Sequence, residues 1–127
     1  MATVFKNAWG YQDDPMNLPT ADVEASAAFY EKHFGFRVES RSEVPHASAV
    51  LVRDDVKFGI AENGGDPTQD GCAFEVDDAL AAIAEFKGTG LASVSEPATE
   101  NRPDGSKWLA FFVTAPDGLC FWLGQRL

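Results

Sequence analysis

Two paired βαβββ modules in one α+β domain are the fold this sequence predicts, on three observations. Short apolar runs of strand length alternate with two stretches of helical period. The order strand, helix, strands occurs twice. Thirteen positions separate Asp22 from Gly35, and thirteen separate Asp77 from Gly90. Self-similarity of this kind marks two copies of one supersecondary unit. A single unit leaves a sheet face open, so two have to pair, within the chain or across a dimer, to enclose a site. The modules span about residues 15–62 and 71–124, and the linker, about residues 63–70, lies in the turn-rich stretch Glu62 to Gly71.

Each element has its own signal. Met16 to Thr20 reads as a strand that contains Pro19. Val23, Ala27, Phe29 and Tyr30 recur at helical spacing, and Asp22 near their start sets a helix over Ala21 to His33. Gly35 ends that helix, as a glycine just past a last turn does. Phe36 to Arg41 and His46 to Val52 read as strands, and Asp54-Asp55 reverses the chain into Val56 to Ala61. After the linker come a strand over Cys72 to Val76, a helix over Asp78 to Lys87 and a stop at Gly90. Leu91 to Val94 reads as a strand and Glu96 to Ser106 as a long polar loop. Trp108 to Val113 and Leu119 to Leu123 form a hairpin across Ala115-Pro116-Asp117-Gly118. Met1 to Asp14 is an extension to which no element is assigned.

Composition narrows the function. At 127 residues, 45% of them hydrophobic and 24% charged, the chain has the make-up of one globular domain with a core of its own. The net charge of −10 argues against nucleic acid, whose affinity rests on lysine and arginine neutralising phosphates. It favours cationic small molecules instead. No apolar run approaches the roughly 20 residues of a membrane span, and Met1 to Asp14 lacks a secretory h-region, so the expected compartment is the cytoplasm. Cys72 and Cys120 sit in apolar runs outside any CxxC and read as buried free thiols. A G-x-S-x-G elbow and a P-loop are absent; Gly64-Gly65 has no helix after it, and Asp54-Asp55 and Asp77-Asp78 sit where turns and helix starts want aspartate.

The run from Asn17-Leu18-Pro19 through Phe29-Tyr30 to Phe34-Gly35-Phe36 resembles the opening module of the vicinal-oxygen-chelate superfamily of glyoxalase I, extradiol dioxygenases, and fosfomycin- and bleomycin-resistance proteins. Ala73-Phe74-Glu75-Val76-Asp77-Asp78 and Ala115-Pro116-Asp117-Gly118 are similar to the borders of its second module. The fold this implies is two βαβββ modules forming a curved mixed sheet with a central cleft and helices outside. Asn17-Leu18-Pro19, Val52-Arg53-Asp54-Asp55-Val56 and a last strand ending near Gln125 are most similar to the bleomycin-resistance branch, which implies a homodimer that sequesters a drug without chemistry.

In the superfamily's enzymes four His or Glu positions hold a divalent metal. The resemblance places those positions at Pro15, Gly59, Gly71 and Trp122, none of which supplies an oxygen or imidazole donor. Neighbouring Cys120 offers only a thiol, and Asp70 lies one residue away from Gly71, on the opposite face of a strand. His33 and His46 fall outside the ligand positions. No metal and no cofactor are therefore expected. Alternation along strands puts Trp108, Ala110 and Phe112 on one face with Cys120, Trp122 and Gly124, joined by Ala73 and Glu75, and in the first module by Val50, Val52, Lys57 and Gly59.

The site expected from this is an aromatic cleft whose ligand-binding candidates are Trp108, Phe112, Trp122, Glu75, Cys120, Val52 and Lys57. Rings stack on the tryptophans, Glu75 anchors a positive charge, and the ligand is aromatic or cationic. The function expected is metal-independent small-molecule binding or sequestration, antibiotic binding included, by a homodimer. Two other readings stay open. One is a metal-dependent lyase, isomerase or dioxygenase of the same fold with a non-standard site, and the other is a small-molecule sensor or partner subunit.

Overall fold

In the computed structural model, residues 3–11 and 14–127 are described. The strands are β1 (Phe5–Gly10), β2 (Leu18–Pro19), β3 (Arg37–Ser42), β4 (Ser48–Arg53), β5 (Val56–Ala61), β6 (Gly71–Val76), β7 (Ala98–Asn101), β8 (Lys107–Thr114) and β9 (Cys120–Arg126), and the helices are α1 (Val23–His33) and α2 (Ala79–Gly88). They form two mixed sheets, ordered β2-β5-β4-β3 and β1-β6-β9-β8-β7. The repeat is topological: in each module the opening strand lies parallel to the last one (β2 with β5, β6 with β9), and the hairpins are antiparallel.

The two helices begin alike. Asp22 (φ −147°, ψ 100°) accepts the Ala25 N–H, and Asp78 (φ −148°, ψ 101°) accepts the Ala81 N–H, which satisfies donors a helix start leaves open. Past each last turn, Gly35 and Gly90 take positive φ, which glycine does without a Cβ clash. The true counterpart of Asp22 is therefore Asp78, one residue beyond the Asp77 that the spacing suggests, and α2 is one residue shorter than α1.

Four other expectations change. The extension contains β1, whose bulge between Phe5 and Asn7 breaks the period-2 pattern. The opening strand shrinks to Leu18–Pro19, because proline has no N–H to donate to a ladder. Leu91 to Val94 supplies only an isolated bridge from Val94 to Val113. The strand lies instead at β7, inside the stretch read as a polar loop; it is a sheet edge with one ladder partner, so polar residues suffice there. In the five-stranded sheet β1 occupies the otherwise free edge of β6.

One core joins the modules. Phe58 of β5 packs against Phe74 of β6 at 5.6 Å and Phe121 of β9 at 5.8 Å, and Phe34, after α1, packs against Phe121 at 5.2 Å. Phe5 enters this cluster from β1, 5.2 Å from both Phe36 and Phe74. Arg53 binds the seam: its guanidinium donates to Glu85 (2.6 Å), to the Phe34 carbonyl (2.6 Å) and to the Thr3 carbonyl (2.7 Å). At the far end, Ser26 Oγ and Tyr30 Oη of α1 both donate to Asp117 in the β8–β9 turn, each at 2.8 Å. No helix among the described residues is long and apolar enough to cross a membrane.

Candidate functional site

The face opposite the core on the five-stranded sheet carries the candidate site. In the β8–β9 ladder Phe112 pairs with Trp122, Ala110 with Gly124 and Trp108 with Arg126, while Ala73 of β6 lies beside Trp122. Gly124 sets the pose of Trp122, because any Cβ there would collide with the indole ring. The indole N–H of Trp122 then donates to Glu100 on β7 (3.0 Å), and that of Trp108 to Ser106 Oγ (2.8 Å). The two indoles meet edge to face at 5.5 Å. A tight turn, with the Arg102 N–H bonded to the Ser106 carbonyl at 2.8 Å, carries residues 102–106 over them.

The second wall comes from β1. Its Trp9 lines the cavity, with Tyr11 just beyond the strand; Trp9 stands edge-on to Trp108 at 6.4 Å. The result is a cavity of about 750 Å³ walled by Trp9, Tyr11, Trp108, Phe112 and Trp122, with Glu100, Arg102, Asp104 and Arg126 as its charged groups. That is a ligand-sized volume with an apolar wall and few polar groups.

Trp108 and Trp122 are the floor, only 5% and 4% exposed, whereas Trp9, Tyr11 and Phe112 are the accessible rings at 43–44%. The ring faces expected to receive a cationic ligand are covered by the protein itself: the Arg102 guanidinium lies 4.6 Å from the Trp122 centroid and that of Arg126 4.5 Å from Trp108. Tyr11 Oη contacts Cys120 Sγ at 3.8 Å, and burial followed by the Cys120 charge raises its phenol well above the ordinary value. Burial likewise pushes the Cys72 thiol up to about 12, which keeps it a thiol.

Of the residues proposed from sequence, the structure brings Trp108, Phe112 and Trp122 together in the cavity. Cys120 is on the same face, beneath Tyr11. Glu75 does not line the cavity; it is buried, accepts the Asn7 amide (2.7 Å) and pairs with Lys6 (3.7 Å), so its charge is already met. Val52 and Lys57 face each other in the four-stranded sheet, away from the cavity, and Lys57 pairs with Glu39. Sequence reasoning missed Trp9, Tyr11, Arg102 and Arg126. Continuing the period-2 pattern from Trp122 through Gly124 reaches Arg126, and Trp9 and Tyr11 flank Gly10 with the same period.

The residues that the resemblance places at metal positions do not fit a divalent ion. The Gly59 N–H donates to the Pro15 carbonyl at 2.9 Å, and a Cβ on Gly59 would strike the Met16 carbonyl oxygen. A Cβ on Gly71 would strike the Cys120 carbonyl oxygen and the Tyr11 ring. At both glycines backbone fills the space a ligating side chain would need. Among the described residues no group of three or more His, Cys, Asp or Glu side chains converges.

The family model described as the Glyoxalase/Bleomycin resistance protein/Dioxygenase superfamily matches residues 14–123. Among solved structures, a bleomycin-binding protein complexed with bleomycin is 29% identical, with 91% of this chain and 98% of that one covered at a TM-score of 0.67. A bleomycin resistance determinant encoded on transposon Tn5 is 27% identical, covering 90% and 96%, at a TM-score of 0.67. A virulence protein from Salmonella typhimurium shares the fold at 18% identity, covering 91% and 97%, with a TM-score of 0.68. No curated protein sequence matches the chain.

Proposed function

The chain belongs to the glyoxalase/bleomycin resistance protein/dioxygenase superfamily, and on that footing we propose that it binds and sequesters a flat aromatic small molecule without a metal. The observation that carries this is the cavity itself, walled by five aromatic side chains. The misfit of Pro15, Gly59, Gly71 and Trp122 to a metal supports the same reading. The alternative, a metal-dependent lyase, isomerase or dioxygenase, requires donors that these positions do not offer. An antibiotic is the candidate ligand class, because two relatives of 27–29% identity are described as bleomycin-binding or bleomycin resistance proteins.

A homodimer is part of this reading. The accessible rings of Trp9, Tyr11 and Phe112, and on the other sheet the half-buried Val50 and exposed Lys57, are surfaces a second copy would cover. Isothermal titration with bleomycin, elemental analysis of the purified protein and light scattering test the parts in turn. Saturable binding by metal-free protein supports the proposal. Stoichiometric nickel, zinc, iron or manganese with a chelator-sensitive activity overturns it, and a monomer at micromolar concentration removes the dimer.

A further inference from the structure

Resting on that reading and narrowing its ligand, we propose that the cavity takes a planar aromatic anion, of which an aryl carboxylate is the simplest member. The rim rings hold its plane, and Arg102 and Arg126 meet its acid group.

The hydrogen-bonding capacity left over in the cavity decides the sign of the ligand. Both cavity acids are engaged as acceptors. Glu100 receives the Trp122 indole N–H (3.0 Å), and Asp104 receives the Ser106 N–H (2.8 Å) and hydroxyl (2.6 Å). Those bonds to Ser106 also hold the Asp104 carboxyl below its usual value, so it stays ionised and offsets the arginines only at longer range. The donors are far less engaged. Arg102 has one ion-pair contact, to Glu100 at 3.9 Å, beyond hydrogen-bond length. Among the described residues Arg126 has no carboxylate partner.

A guanidinium over an indole face keeps its N–H fork free in its own plane, and that fork matches two carboxylate oxygens. Each tryptophan thus fixes the position of an arginine whose donors lack a strong acceptor. A cationic ligand meets the reverse. The Trp108 and Trp122 faces that would attract it are covered, and it would stand beside two positive charges. The protein's net charge of −10 opposes an anion, but charges more than about 10 Å away are largely screened at 0.1 M salt. A contact at bonding distance is not.

Titration calorimetry with three probes of one shape tests this: 2-naphthoate, neutral 2-naphthamide and 2-naphthylmethylammonium. The expected order is naphthoate about tenfold tighter than the amide, as charge-assisted bonds give at a partly open site, with the ammonium weakest. The double variant Arg102→Gln, Arg126→Gln brings the naphthoate-to-amide ratio close to one, whereas Arg37→Gln, an exposed arginine on the other sheet, retains it. An amide or ammonium that binds as tightly as naphthoate overturns the anion and leaves the aromatic-binding reading standing, and so does a preference that survives the double variant. Failure of all three probes to bind overturns both.

Discussion

Trp122 and Trp9 show how differently two tryptophans of one cavity act. Trp122 is buried, held by Glu100 and pressed over Gly124, so Trp122→Ala removes part of the folded structure, at about 3–5 kcal/mol. Trp9 is 44% exposed on the rim. Trp9→Ala is expected to weaken binding of a flat ring by about 0.5–1.5 kcal/mol while moving the thermal midpoint little. Calorimetry and melting of the two variants side by side check this, and equal losses of stability would refute it. Asp77 gives a prediction in pH. The Val4 N–H, then Thr3 Oγ1, bond its carboxylate and hold it below its usual 3.8. A lowered folded value means stability that is present above the ordinary carboxylate range and lost as pH falls through the lowered one. Asp77→Asn should therefore melt below the parent at neutral pH, with the gap closing in acid. A gap that is constant with pH would show that the charge is idle.

At the scale of elements, β1 does most to convert a two-module fold into a site. Acceptors from both modules anchor it: Asp54 takes the Phe5 N–H (2.9 Å), Asp77 the Val4 N–H (2.8 Å) and Glu85 the Thr3 N–H (3.2 Å). Its Phe5 is fully buried while Trp9 walls the cavity. Phe5→Ala is expected to cost about 3–5 kcal/mol, measured by denaturant unfolding, and to impair ligand binding with it. A loss below about 1 kcal/mol would mean that the strand is peripheral. In the sequence this strand is hidden by its bulge at Lys6, and β7 by its polar edge, so period-2 reading finds neither. The helices were legible because caps and stops are local chemistry: Asp22, Asp78, Gly35 and Gly90 act within a few residues of themselves.

For the whole molecule, the continuous aromatic core makes the modules one cooperative unit. Phe58→Ala in the first module and Phe121→Ala in the second should each lower one and the same thermal transition, with calorimetric and van't Hoff enthalpies equal as for two-state unfolding. Two resolved transitions would show that the modules fold separately. The sequence by itself determined the repeat, the presence and place of the two helices, the shared face of Trp108, Phe112 and Trp122, and the lack of donor side chains at the expected metal positions. All of these follow from periodicity, residue type and short-range spacing. Only the tertiary structure decided that β1 closes the cavity, that Glu75 is already paired, that Val52 and Lys57 lie elsewhere, and that arginines cover both tryptophan faces. Those outcomes depend on which edges and side chains meet across long sequence separations, a matter of packing geometry that no local pattern encodes.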